Sequence, residues 1–317
     1  MRIVFLGTPG SAVPALEALL HAGHIVPLVI SQPDRPAGRS SRPLPPSVKE
    51  AALAEGLAVA QPLKVRTDEF LSTVASARPD VVVVVAYGRI LPAQVLRSAH
   101  HGAVNVHFSL LPRYRGAAPV PWALARGEET TGVTTMAMNE RLDEGDILLQ
   151  REVRIEPGEH CPELVGRLAS IGASLLVETL SKLESQSLHP RPQDPAVATY
   201  APRLTPEDGI ADLDLTAREV EGRVRGFDPW PGVWVRRAGR RLRIARARAR
   251  GDEQTEESPG RVIGFENEAF RLACSQGTVL EILGVQPQDK RILTAREALN
   301  GRHLLPGDQL EGKAKAS

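Results

Sequence analysis

A doubly wound α/β domain followed by a small β-barrel is the fold predicted for this 317-residue sequence, and three features predict it. Short apolar runs alternate with amphipathic helical segments over the first part of the chain, the habit of a sheet covered on both faces. One run, VVVVVA (Val81 to Ala86), is apolar without a break and therefore reads as a strand buried on both sides, as in a parallel sheet. After a proline-rich stretch the pattern changes to short strands punctuated by glycine, which suits a barrel.

The elements follow in order. RIVFL (Arg2 to Leu6) is a strand ending at Gly7, and AVPALEALLHAG has helical spacing that closes on Gly23, a glycine placed to stop a helix. IVPLVIS predicts a strand, SVKEAALAEG a helix and LAVA a strand, with a polar amphipathic segment leading to Val81. Beyond it, ILPAQVLRSAHHG predicts a short helix, AVNVHF a strand and PVPWALARG a helix. GVTTMAMN and ILLQREVRI follow as strands, then CPELVGRLASIGASLLVETLSKLES as a long amphipathic helix. Met136 and Met138 are expected in the core.

Five prolines in PRPQDPAVATYAPRLTP disfavour regular structure and mark a connector. The expected organisation is a first domain over residues 1–189, a linker over 190–206, a second domain over 207–311 and a tail over 312–317. Thr216 with Glu219 three residues later forms a capping box that opens a helix in TAREVEGRVRGF. Turns are expected at Gly239, Gly251, Gly260, Gly277 and Gly284.

A hydrophobic content of 42% and a charged content of 24% describe an ordinary globular protein. The net charge of +1 conceals RRAGRRLRIARARAR (Arg236 to Arg250), which holds eight arginines and no acid. Cys161 and Cys274 are far apart and lack a C-x-x-C, so neither a disulfide framework nor a metal site is expected, and a reducing cytoplasm fits. The apolar run before Gly7 is too short for a secretory segment, and no stretch reaches the roughly 18 apolar residues of a membrane span.

Strand periodicity of two puts Asn105 and His107 on one face, with Val104 and Val106 on the other. They close a strand at the edge where α/β sheets hold ligands. Asp143, in RLDEGDIL, can approach the same edge. No nucleophilic G-x-S-x-G turn accompanies them, so the set suits acyl transfer to an external amine. Asn105 or a protonated His107 would stabilise an oxyanion, and Asp143 would hold that charge or take the amine's proton. Each also has a plainer role, as turn former, packed histidine or cap.

GTPGS (Gly7 to Ser11) lacks G-x-G-x-x-G, and no Walker GK[ST] occurs, so it reads as a tight strand-to-helix turn. PDRPAGRSSRPLPPSVK (Pro33 to Lys49) is a long insertion, either a solvated flexible loop or one that contacts an anion or RNA. Arg246, Arg248 and Arg250 share one strand face, a stripe that could follow a phosphate backbone or simply face solvent.

The stretches FLGTP, QPDRPAGR, AYGRILP, NVHFSLLPRYRGAAP, TGVTTMAMNERLDEGDIL, TYAPRL and FDPWPG resemble the methionyl-tRNA formyltransferases, within the 10-formyltetrahydrofolate-dependent formyltransferase family, over almost the whole chain. The resemblance implies a Rossmann-like formyltransferase domain followed by an OB-like barrel. It implies that Asn105, His107 and Asp143 form a catalytic trio, that Ser109, Leu110, Leu111 and Pro112 line the folate site, and that Tyr87, Gly88, Arg89, Ile90 and Leu91 border the pterin. A formyl group would pass from 10-formyltetrahydrofolate to the α-amine of methionyl-initiator tRNA. Arg35, Arg39 and Arg42 would meet the acceptor stem, with Arg246, Arg248 and Arg250 adding basic surface. No metal, DNA or membrane is implied, and a monomer in the cytoplasm is expected.

Three places depart from the family pattern: Gly10 and Ser11 replace an Asp-Phe pair, Ser40, Ser41 and Arg42 replace glycine and lysines, and Glu144 replaces a common Thr. A second carboxylate beside Asp143 would raise its pKa by like-charge repulsion. The rival readings are a formyltransferase acting on an amino sugar nucleotide or glycinamide ribonucleotide, and a non-catalytic tRNA-binding protein. A nicotinamide oxidoreductase is disfavoured by the missing glycine fingerprint.

Overall fold

The computed structural model describes residues 1–36 and 43–313. The chain divides into two compact units, one of Met1–Pro119, Thr130–Arg154 and Val165–Ala201, the other of Val120–Glu129, Ile155–Leu164 and Pro202–Ser317.

The first unit is built on a seven-stranded sheet. Its strands are β1 (Arg2–Gly7), β2 (Ile25–Ile30), β5 (Val59–Ala60), β6 (Val81–Val85), β7 (Ala103–His107), β8 (Thr130–Ala137) and β9 (Ile147–Arg154), in the order β5-β2-β1-β6-β7-β8-β9. A two-residue pair, β3 (Arg35–Pro36) with β4 (Pro43–Leu44), stands apart at the base of the insertion. Arg39, Ser40, Ser41 and Arg42 lie outside the described residues. Helices α1 (Val13–His21), α2 (Ser47–Ala54) and α3 (Asp68–Ser76) alternate with the strands.

Strands β5 to β7 run parallel, as the alternation predicts, and all five valines of β6 are buried. β8 and β9 instead run antiparallel. The segment between them is too short for a parallel crossover, which takes a dozen residues or more. Successive strands progress in one direction from β1 to β5 and in the other from β6, so the sheet's switch point falls between β1 and β6.

The helix expected after Ile90 shrinks to one turn, α4 (Ala93–Leu96). The Ser98 hydroxyl bonds back to the Val95 carbonyl and the His101 N–H is drawn to the Asp80 carbonyl, which takes the chain out of helical geometry. Helix α5 (Pro119–Ala125) matches its predicted segment.

The long helix α6 (Cys161–Glu184) forms as expected. By length and apolar composition alone it could cross a membrane, which counting unbroken apolar runs did not register. Half of that window is buried within the protein, as in a core helix. Gly172 lets α6 lie against β7 and β8: a β-carbon there would come within 3.0 Å of Val106 and 3.3 Å of Val133.

The second unit is antiparallel. Its strands are β10 (Val233–Arg237), β11 (Arg240–Gln254), β12 (Val262–Glu266), β13 (Ala269–Ala273), β14 (Thr278–Pro287) and β15 (Leu293–Thr294), in the order β10-β11-β14-β13-β12 with β15 on β14. Residues near the C-terminus close the ring. Gly307 and Asp308 bond to Val262, Leu310 to Gly260, and Glu311 exchanges both bonds with Arg236 of β10, so the sheet becomes a small barrel.

Phe270, Leu280, Ile282 and Val285 fill the barrel without exposure. Helix α7 (Ala217–Gly226) opens with the predicted box, Thr216 and Glu219 satisfying each other's backbone N–H groups. Helix α8 (Ala295–Asn300) repeats the device with Thr294 and Glu297. Gly251 and Gly284 lie inside β11 and β14 rather than at turns; Gly284 pairs with β15, where a β-carbon would stand 3.3 Å from the Leu293 carbonyl.

Candidate active site

The carboxyl ends of β6 and β7 open on a cavity of about 500 Å³ within the first unit. Tyr87, Gly88, Arg89, Ile90 and Leu91 line it on one side, and Asn105, His107 and Asp143 are among its other walls. The strand reading explains the placement: Val106 turns towards α6, so Asn105 and His107 share the opposite face. Ile90 and Leu142 are exposed although apolar, and both line this cavity.

The turn at the switch point is held by short polar links. The Thr8 hydroxyl and the Gln32 amide both donate to the Tyr87 carbonyl, at 3.1 and 3.0 Å. GTPGS is thus a strand-to-helix turn, as expected, and its threonine braces the loop that follows β6. The Tyr87 hydroxyl is buried with no hydrogen-bond partner among the described residues, and burial pushes its pKa up, so the phenol stays neutral. Arg89 reaches across to the Leu63 carbonyl at 2.6 Å. Arg35 bonds to Gln32 on the surface, while Lys49 of the insertion is tied to Asp34 at 2.8 Å.

His107 is 6% exposed, and its Nε2 lies 2.9 Å from the Tyr114 carbonyl. A carbonyl only accepts, so Nε2 carries a proton and Nδ1 is the ring nitrogen left without a backbone partner. Asp143 Oδ2 faces that nitrogen at 3.8 Å and accepts the Gly116 N–H at 2.9 Å. The Asn105 side chain has no hydrogen-bond partner among the described residues, which leaves its amide free to donate into the cavity.

Both loops that bring these groups together run through left-handed backbone. Tyr114 has φ +60° and Asp143 φ +55°, conformations that cost about 1–3 kcal/mol each in a non-glycine residue and persist only when the surroundings enforce them. Gly116, at φ +114°, also passes close to another strand of chain: a β-carbon there would stand 2.6 Å from the Ala201 carbonyl.

The enforcement comes largely from residues that sequence reasoning passed over. Gln193, in the segment taken as a linker, donates from Nε2 to the carbonyls of Asp143 (2.8 Å) and Gly145 (2.7 Å). Its Oε1 accepts from Arg115 Nε at 3.0 Å. Arg115 is 4% exposed and pairs with Glu144 at 3.4 Å. The same segment also adds backbone bonds, with Arg191 bridging Ile147 and Thr199 and Ala201 exchanging bonds with Arg115. The only sequence signal was the presence of Gln and Thr inside an otherwise proline- and alanine-rich run.

Several expected placements differ. Glu144 is engaged by Arg115 and Arg141, at 3.4 and 3.3 Å, so its charge is met by two guanidiniums instead of pressing on Asp143. Ser109, Leu110, Leu111 and Pro112 are not among the residues lining the cavity. Ser109 bonds to the Arg113 carbonyl, and Leu111 packs with Met136 and Ile147. Buried Thr134 links this loop to β8, donating to the Ser109 carbonyl at 2.6 Å and accepting from the Leu111 N–H at 3.1 Å.

In the second unit the arginine stripe is ion-paired. Arg248 and Arg250 both reach Glu281, which is 5% exposed, and Arg250 also pairs with Asp252. Arg246 bonds to Asp228 and His160. Burial, and then Arg246, lower the His160 pKa, against the opposing pull of Asp228.

Comparison with known proteins gives a consistent picture. A family model described as formyl transferase matches residues 1–180, and one described as formyl transferase, C-terminal domain, matches residues 203–303. The chain is 47% identical over 311 residues to a methionyl-tRNA formyltransferase of Acidobacterium capsulatum, covering 98% of this chain and 99% of that one. It is 46% identical to one of Moorella thermoacetica, with the same coverage. Among solved structures, a sugar 3N-formyl transferase determined with dTDP and 5-N-formyl-THF superposes with a TM-score of 0.67 at 17% identity, over 92% of this chain and 99% of that one.

Proposed function

We propose, from the premise that this chain belongs to the methionyl-tRNA formyltransferase family, that it transfers the formyl group of 10-formyltetrahydrofolate to the α-amine of methionyl-initiator tRNA. The observation that carries the site assignment is the convergence of Asn105, His107 and Asp143 on one cavity at the end of the parallel sheet.

In this reading the neutral amine attacks the formyl carbon directly, with no covalent bond to the protein. A carbon–nitrogen bond forms as the carbonyl oxygen becomes an oxyanion, and the bond to folate N10 then breaks. The free Asn105 amide donates to that oxygen. His107, its Nε2 proton fixed on Tyr114, presents Nδ1 as the second donor when protonated, with Asp143 holding the charge. The proton lost by the amine leaves through Asp143, and N10 receives one as it departs.

Tyr87 to Leu91 border the pterin. Ser109, Leu110, Leu111 and Pro112 serve the folate site by fixing the path of the chain after β7. The reacting groups lie within residues 1–189, residues 190–206 connect the two parts and brace the Asp143 turn through Gln193, and residues 207–311 add RNA affinity. Arg35, with Arg39 and Arg42, meets the acceptor stem, and Arg246, Arg248 and Arg250 lend charge only where their ion pairs open.

An acceptor panel tests the reading. Purified protein with 10-formyltetrahydrofolate is given charged initiator methionyl-tRNA, an amino sugar nucleotide and glycinamide ribonucleotide in parallel. Formylation of the tRNA with neither small acceptor turned over is expected; preference for a small acceptor, or no turnover at all, contradicts it.

A further inference from the structure

Three neighbouring strands of the first unit, β2, β1 and β6, run parallel and end at one sheet edge, so the residues that follow them, Gln32, Thr8 and Tyr87, meet there. Thr8 is the hub. Its hydroxyl donates to the Tyr87 carbonyl at 3.1 Å and accepts the Gln32 N–H at 3.4 Å, while its own carbonyl takes the Val48 N–H at 3.4 Å. Gln32 precedes the insertion and Val48 stands near its end, in the first turn of α2. Both ends of the insertion are therefore fastened to the turn after β1.

The Gln32 side chain reaches further. Tyr87 and Gly88 offer carbonyls, which only accept, and Arg35 offers a guanidinium, which only donates, so its partners fix the orientation of the amide. Nε2 donates to Tyr87 at 3.0 Å and to Gly88 at 3.3 Å, and Oε1 accepts from Arg35 at 3.2 Å. The two carbonyls belong to a loop that leaves β6 through left-handed backbone, with φ +47° at Ala86 and +79° at Gly88. An alanine keeps that conformation only where its surroundings enforce it. Here the Gln32 amide and the Thr8 hydroxyl hold the loop, and neither residue lines the cavity. Behind them Gln61 donates to the Gln32 carbonyl at 2.8 Å and to Asp34 at 2.7 Å, so the backbone that carries the amide is held too.

We propose that Gln32 is a positioning residue through which the donor cavity and the base of the insertion are coupled. A folate against Tyr87 to Leu91 fixes the carbonyls that hold Nε2, and the amide so fixed presents Oε1 to Arg35. One planar group carries both sets of bonds, so it cannot turn to suit one side without disturbing the other. The two states are Arg35 docked on the amide and Arg35 released into solvent, and an occupied cavity favours the first. Arg35 is exposed, and a guanidinium steadied by one amide keeps further N–H groups for an anion. Donor binding thus prepares this side of the insertion for the acceptor, and by linkage the acceptor tightens the donor by the same factor. The coupling rests on the formyl-transfer reading above for the identities of donor and acceptor, whereas the role of Gln32 in shaping the cavity's loop rests on its own hydrogen bonds.

The test measures the affinity of the full chain for each ligand with and without the other, using charged methionyl-tRNA and tetrahydrofolate, which has no formyl group to give. In the wild type each ligand should tighten the other by about fivefold, with the same factor from either side. Gln32→Glu sets an oxygen against two carbonyls yet keeps an acceptor for Arg35, and Gln32→Met removes both polar ends at similar length. Each should weaken tetrahydrofolate by about 5- to 10-fold and bring the coupling factor to about 1. Thr179→Val removes a buried hydroxyl bonded to Thr135 and to the Leu175 carbonyl, away from the junction, and should keep the wild-type factor, which separates coupling from lost stability. Independent binding of the two ligands to the wild type, or an undiminished factor in both Gln32 variants, overturns the proposal and leaves formyl transfer untouched. Wild-type protein whose ligands cooperate but which formylates no acceptor overturns the formyl-transfer reading and leaves the junction standing.

Discussion

Gln193 holds Asp143 by its backbone: one amide group donates at once to the Asp143 and Gly145 carbonyls, while its oxygen accepts from buried Arg115. The left-handed turn that aims the Asp143 carboxylate at His107 is therefore maintained from a segment 50 residues further along the chain.

Gln193→Ala should accordingly lower kcat while leaving the fold intact. A displacement of about 1 Å at reacting groups costs about 100-fold, and a loss of kcat of about 10- to 100-fold with KM for the folate changed little is expected. Steady-state kinetics beside a thermal melt check it. A variant with wild-type kcat would show that the Asp143 turn holds without the clamp.

Asn105→Ala removes one free donor facing the cavity, for an expected loss of about 100- to 1,000-fold in kcat. His107→Ala and Asp143→Asn should lose at least as much, and their effects should not add, because the groups act as a unit. Single-variant and double-variant rates compared under saturating donor and acceptor provide the measurement.

Thr134→Val keeps the shape of a side chain with no exposure but strands the Ser109 carbonyl and the Leu111 N–H, both bonded to its hydroxyl. Each unsatisfied buried group costs about 1–3 kcal/mol. Denaturant unfolding of the variant should show a loss of roughly 2–4 kcal/mol on that basis.

Burial pushes the thiols of Cys161 and Cys274 up to about 12, with Asp228 adding to the effect on Cys161. Since only the thiolate reacts, neither should be alkylated by iodoacetamide in the native protein at pH 8. Both should label once the protein is unfolded; mass spectrometry before and after denaturation reads the difference.

Much of this was legible from the residues. Period two placed Asn105 and His107 together, the unbroken valines of β6 announced a parallel core strand, and Thr216 with Glu219 opened α7 as its capping box required. What stayed hidden depends on contacts between distant parts of the chain. Local pattern cannot say that β8 turns antiparallel to β7 across a connection that holds a helix, nor that Gln193 in a proline-rich run serves as a clamp. The arginine stripe was read correctly as a strand, but the carboxylates that neutralise it, Asp228 and Glu281, lie 18 and 33 residues from their partners.

On the proposed reading, Asn105, His107 and Asp143 promote transfer of a formyl group to the amine of methionyl-tRNA. Single-turnover transfer from labelled 10-formyltetrahydrofolate to charged initiator tRNA, followed for wild type and for Asn105→Ala with excess enzyme, tests it most directly. Label arriving on the methionine α-amine, at a rate that falls about 100-fold or more in the variant, is the predicted result. No labelled formyl-methionyl-tRNA from the wild type, or an equal rate in the variant, would contradict it.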